Sequence, residues 1–144
     1  VATSVAEGRA PVEMPTGTET VLLVEDEPSV RGLATLVLRR QGYTVLDAAN
    51  GAEALRVARD HPGDEIGLLL TDVVMPHMSG KELAGHLQPL MPGLKVLMTS
   101  GFPDEAAVPG QGWNPGISFI PKPFTPAELA RRVREVLDTP GPGS

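Results

Sequence analysis

The sequence predicts an α/β fold, a doubly wound, five-stranded parallel sheet with helices on both faces. Two observations predict it. Short, strongly apolar runs alternate along the chain with stretches whose apolar residues recur at helical spacing. The polar residues with chemical potential gather at the carboxyl ends of those apolar runs, the side on which parallel sheets bind ligands. A chain of 144 residues, 41% apolar and 21% charged, has the composition of one ordinary globular domain with a single core.

The elements follow in order. Residues 1–19 lack apolar periodicity and read as a flexible linker; residues 139–144 end in Pro140-Gly141-Pro142-Gly143-Ser144 and read as a disordered tail, leaving a folded domain over 20–138. Val21 to Val24 is the first strand. Val30, Leu33, Ala34, Val37 and Leu38 then mark one face of a helix that starts with Pro28 in its first turn and stops at Gly42. Tyr43 to Ala48 is strand two, Gly51 to His61 helix two, and Ile66 to Thr71 a buried strand three. Ser79 with Glu82 is a capping-box pattern for a helix running to about Leu90, and Leu94 to Thr99 is strand four. Gly116 to Ile120 is strand five. Between the last two strands, Pro109, Gly110, Gly112, Pro115 and Gly116 make the fourth helix short or irregular. Thr125, Pro126 and Glu128 cap a final helix with Leu129, Val133, Val136 and Leu137 on one face.

Charge and composition exclude several functions. A net charge of −6 is the wrong sign for displacing counterions from nucleic acid, so no direct nucleic-acid binding is expected. With no cysteine, disulfides and thiolate metal sites are out, as suits a cytoplasmic protein. No apolar run reaches the roughly 18 residues of a membrane span. The chain is expected to be a soluble, cytoplasmic piece that makes no membrane contact of its own, whatever larger protein contains it.

The chemistry gathers at one rim. Glu25-Asp26-Glu27 follows strand one, Asp72 strand three, Ser100 strand four and Lys122 strand five. If the strands are ordered 2-1-3-4-5, an order taken by analogy with other doubly wound sheets, the strand order reverses between strands one and three, where Asp26 and Asp72 lie. Carboxylates brought that close repel one another unless a hard cation joins them, which points to Mg2+ or Mn2+. A carboxylate can also act as a nucleophile and form an acyl phosphate, with Lys122 neutralising the phosphoryl oxygens and Ser100 donating a hydrogen bond.

Val21-Leu22-Leu23-Val24-Glu25-Asp26-Glu27-Pro28, the stretch from Leu69 through Asp72, Pro76 and Gly80, Val96 through Gly101, and Lys122-Pro123-Phe124 together make the chain resemble the response regulator receiver domains of two-component systems. The likeness is greatest to receivers attached to hybrid sensor histidine kinases. It implies the flavodoxin-like receiver fold. It implies Asp72 as the phosphoacceptor, Asp26 as a direct metal ligand, Glu25 as a second acidic contact through water, and the Val74 backbone carbonyl as a third. It implies a Lys122 ion pair to the phosphoryl group, a cis bond to Pro123, and a switch in which Ser100 moves toward the phosphate while Phe119 swings inward. The implied partner is a histidine kinase or histidine phosphotransfer domain, the implied state a monomer or weak dimer, and the isolated domain is no enzyme beyond its own phosphoryl transfer and dephosphorylation.

Three positions depart from the family's commonest residues: Glu25 stands for Asp, Ser100 for Thr and Phe119 for Tyr. Taken singly, an acidic run before a helix, a lone lysine or a turn serine is ordinary; their joint placement carries the reading. His61, His77 and His86 lack ligand spacing and read as surface residues, and Met75, Met78, Met91 and Met98 as packing residues. Trp113 is a local anchor or a partner contact. An aspartyl-phosphate hydrolase would carry a second Asp where Val74 stands, and a dinucleotide site would need a glycine-rich turn where Glu25-Asp26-Glu27 stands. The remaining rival is a receiver-shaped interaction module that works without phosphorylation.

Overall fold

The computed structural model describes residues 15–60, 66–100 and 117–138. Within them run β1 (Thr20–Val24), α1 (Pro28–Arg40), β2 (Thr44–Ala48), α2 (Gly51–Asp60), β3 (Ile66–Asp72), α3 (Gly80–Leu87), β4 (Lys95–Ser100), β5 (Ile117–Pro121) and α4 (Pro126–Asp138). The sheet is parallel throughout, in the order β2-β1-β3-β4-β5. The expected fold class is therefore what forms. The short helix expected between strands four and five, His61 and Trp113 lie outside the described residues.

Alternation along the strands builds two cores. Val21 and Leu23 of β1, Leu68 and Leu70 of β3 and Leu97 of β4 meet Ala34, Val37 and Leu38 of α1 and Leu129, Val133 and Val136 of α4. Leu22, Val24, Leu69, Val96 and Met98 point the other way, onto Ala54 of α2 and Leu83, Ala84 and Leu87 of α3. Successive strand residues face opposite sides, so an unbroken apolar run serves a sheet covered on both faces. Each fully buried leucine contributes about 2 kcal/mol, whereas exposed pairs such as Arg132–Glu135 contribute a few tenths. The central strands therefore decide the stability.

Local chemistry sets the helix ends. Gly42 has φ of +103°; its amide donates to Arg39 O and that of Tyr43 to Leu38 O, both at 3.1 Å, the paired bonds of a left-handed helix terminus that favours glycine. Asn50 Oδ1 accepts from Glu53 N at 2.8 Å to open α2. Both expected capping boxes are present: Ser79 exchanges bonds with Glu82, and Thr125 with Glu128.

Some expectations need correction. The α3 helix stops at Leu87 rather than near Leu90, because Pro89 has no amide to continue the ladder. Leu33 is 44% exposed and does not join the α1 core face. The strands also begin or end one residue away from several expected limits; at the rim this puts Asp72 and Ser100 inside β3 and β4 as their last residues rather than beyond them. The ladder continues that far: Asp72 pairs with Thr99 and Ser100 with Pro121. Since, among the described residues, β5 pairs only with β4, Pro121 sits at an edge, where a missing amide is tolerated.

Residues 15–19 are tied to the fold. Gly17 N donates to Gln41 O at 3.0 Å, Gln41 Nε2 to Pro15 O at 3.0 Å, and Arg134 of α4 pairs with Glu19 at 2.7 Å while its Nη1 reaches Thr16 O at 3.2 Å.

Candidate functional site

The rim is built by strands that carry their ladders to the last residue. Glu25 N still bonds Ala48 O at 3.1 Å, which holds the Glu25 side chain in the interior at 2% exposure. Its Oε2 accepts from Glu27 N at 3.1 Å, and its carbonyl accepts from Arg31 Nη1 at 2.7 Å. Asp26, next in the chain, is exposed. Asp72 closes β3 at 6% exposure, with Oδ1 facing Val74 N at 3.4 Å.

Lys122 enters from the opposite end of the sequence. Its amide donates to Ser100 O at 2.8 Å, and the peptide bond to Pro123 is cis. So placed, Nζ lies 2.9 Å from Asp72 Oδ2 and 3.5 Å from Glu25 Oε1. Among the described residues, Glu25, Asp26 and Asp72 form one group whose ligand oxygens all lie within 4.8 Å of one another.

Electrostatics follow from this crowding. Burial pushes the Glu25 pKa up; the Glu27 amide and the Lys122 charge oppose that, while Asp72 and Asp26 add to it. Burial works against the Lys122 ammonium, but the bond and charge of Asp72, with Glu25 behind it, outweigh burial and raise its pKa. One ammonium touches two of the three grouped carboxylates. Hard oxygen donors at this separation, two of them buried and short of positive charge, suit a divalent cation of the magnesium type.

The structure therefore brings Glu25, Asp26, Asp72 and Lys122 together directly. Ser100 is buried at the end of β4 and joined to Lys122 through its carbonyl. Val74 is exposed beside Asp72. Phe119 is half-buried against the core layer beneath α2 and α3, and its carbonyl accepts from Arg132 Nε at 3.2 Å. His77 and His86 are exposed, and Met98 and Met75 are buried in the core.

Two residues have roles at the rim that the sequence reading does not assign. Gly80 packs against the Asp72 backbone so closely that a Cβ there would collide with the Asp72 carbonyl oxygen; its amide bonds Val73 O at 2.9 Å. A glycine directly after a helix cap was the available signal. Arg31 had none, because its contact with Glu25 runs through a main-chain atom.

Comparison with known proteins agrees with this geometry. Residues 21–134 match the response regulator receiver domain family. The chain is 39% identical over 122 residues to the sensor kinase CckA of Brucella abortus, covering 85% of this chain and 13% of that protein. It is 33% identical over 117 residues to the response regulator receiver protein CpdR of the same organism, covering 81% of this chain and 95% of that one. Among solved structures, the receiver domain of the hybrid histidine kinase CckA superposes with a TM-score of 0.69 at 37% identity, covering 83% of this chain and 99% of that one. The response regulator TrrA of Thermotoga maritima, in complex with Mg2+ and BeF, does so at 0.68 and 26% identity, covering 83% and 99%. The chain thus spans about an eighth of the first of these relatives and nearly all of the second. With the sheet order, the acidic rim and a family match over most of its length in agreement, this chain belongs to the response regulator receiver domains of two-component systems.

Proposed function

We propose that this receiver domain accepts a phosphoryl group from a phosphohistidine onto Asp72. The observation that carries the reading is the Lys122 ammonium 2.9 Å from Asp72 Oδ2, inside a group of three acids. An Asp72 oxygen attacks phosphorus, the phosphorus–nitrogen bond breaks, and the imidazole leaves with the electron pair and takes up a proton. Lys122 turns from its carboxylate partner to the new phosphoryl oxygens, and Ser100 donates a hydrogen bond to one of them. Later attack by water on the acyl phosphate returns the Asp72 carboxylate and releases inorganic phosphate.

Asp26, Asp72, Glu25 through water and the Val74 carbonyl are the residues that would hold Mg2+ (or Mn2+), which supplies charge neutralisation for the phosphoryl oxygens. The magnesium in the TrrA complex supports that choice. The added charge draws Ser100 inward with Phe119 following, and the surface of β5 and α4 carries the change outward.

The parent protein in this reading is a hybrid histidine kinase, and this domain of it is cytoplasmic, with residues 1–19 as the linker, its last five residues held on the fold, 20–138 as the receiver and 139–144 as a tail. The donor is a histidine kinase or histidine phosphotransfer domain; the domain itself acts as a monomer or weak dimer that is no enzyme on its own account and touches neither nucleic acid nor membrane.

Incubation with acetyl phosphate and Mg2+, followed by intact mass measurement, tests the reading. Wild type gains one phosphoryl group and Asp72→Asn gains none. If wild type gains nothing and forms no beryllium fluoride complex either, the domain acts as an interaction module without phosphorylation.

A further inference from the structure

The peptide joining Glu25 to Asp26 is the main-chain link between the two acids of the β1 rim, and it is gripped from behind. Arg31, in the first turn of α1, donates Nη1 to the Glu25 carbonyl at 2.7 Å and faces Asp47 of β2 with Nε at 3.6 Å from Oδ2. Glu25 N is meanwhile held by Ala48 O, the residue after Asp47, at 3.1 Å. Strand β2 therefore fixes the Glu25 amide directly and its carbonyl through Arg31. Asp26 is exposed and depends on that peptide for the direction of its carboxylate.

We infer that Arg31 is a positioning residue for the divalent cation, which it serves by locking the Glu25–Asp26 peptide with Asp47 as its own anchor. The inference rests on the metal site of the proposed function. Its force lies in the sign of the effect. A guanidinium near acids repels a cation, so removing it should tighten metal binding if charge alone mattered. If the peptide clamp matters more, removing it weakens binding, because ligand orientation depends on the groups behind the ligands.

The test measures Mg2+ affinity by calorimetry and by the rise in melting temperature with added Mg2+, with no phosphoryl donor present. Arg31→Met should raise the Kd roughly tenfold, and Arg31→Lys, which keeps one donor and the charge, should recover part of the loss. Arg39→Met is the matched control. Arg39 lies about two turns further along α1 and donates to the β2 carbonyl of Val45 at 3.0 Å, so its loss should lower the metal-free melting temperature similarly and leave the Kd unchanged. An unchanged or lower Kd in Arg31→Met overturns the inference, as does an equal rise in Arg39→Met. A wild type with no Mg2+ signal overturns both this inference and the metal site beneath it; a wild type that binds while Arg31→Met matches it overturns the inference alone.

Discussion

Lys122 sits 2.9 Å from Asp72 while its own amide is bonded to the Ser100 carbonyl at the end of the neighbouring strand. The main chain thus aims the ammonium at the carboxylate before any ligand arrives. Removing it as Lys122→Met leaves two buried carboxylates without their cation. Stability should fall by about 2 kcal/mol, below the cost of a fully buried pair because the lysine is partly solvated. Urea unfolding at neutral pH without metal measures this, and the loss should shrink when Asp72→Asn is present as well.

Gly80 and Gly51 make a matched pair. A Cβ at Gly80 meets the Asp72 carbonyl, which is backbone, whereas at Gly51 it meets the Met78 side chain, 2.6 Å from Sδ, 3.0 Å from Cβ and 3.1 Å from Cγ. Backbone cannot step aside. Gly80→Ala should cost about 2 kcal/mol or more and Gly51→Ala less, since a methionine side chain adapts where a backbone carbonyl does not. Thermal unfolding of the two variants separates them; equal losses would refute the argument.

Acid should expose two opposed carboxylates. The hydrogen bond from Arg134 holds the Glu19 pKa down to about 2 from an ordinary 4.5. Between those values the unfolded chain binds the extra proton, so this contribution, complete above about pH 5, is lost as pH falls towards 2. Solvent exposure at the pair keeps it to less than about 1 kcal/mol. Glu25 has the reverse sign: burial raises its pKa, so its protonation favours the folded state and stability recovers as pH drops through its folded value. Arg134→Met should therefore flatten the decline of melting temperature below pH 4.5. Glu25→Gln should raise the melting temperature at pH 7 and remove the gain that wild type makes as pH falls from the raised folded value towards 4.5.

Thr99 is 4% exposed and its hydroxyl has no hydrogen-bond partner. A buried polar group left unsatisfied is a net cost, and valine has nearly the same shape. Thr99→Val should match or exceed wild type by about 1 kcal/mol, read from the urea midpoint at constant slope. A clear loss would mean that the hydroxyl is satisfied in solution, by water for example.

What the sequence disclosed and what it hid have physical causes. The strands were legible because a sheet covered on both faces requires unbroken apolar runs, and Asp72, Asp26 and Lys122 because their side chains flank those runs. Pro89 carries the end of α3 in its own chemistry, a ring nitrogen with no amide hydrogen. The hold on residues 15–19 was invisible, since Gly17 and Pro15 bind through main-chain atoms and Arg134 lies more than a hundred positions away. The roles of Gly80 and Arg31 were hidden for the same reason: each acts on a backbone oxygen, and a backbone oxygen leaves no letter in a sequence.

Asp72 and Lys122 are 50 positions apart, and Glu25 and Lys122 97. Synthesis proceeds from the amino terminus, so a nascent chain that has emerged only as far as Ser100 already contains both acids and none of their counter-charge. It must leave those carboxylates wet, which keeps the rim of the half-made sheet open. Arrival of β5 and the residue after it closes the rim, so both acids gain their lysine only once the last strand of the sheet is in place.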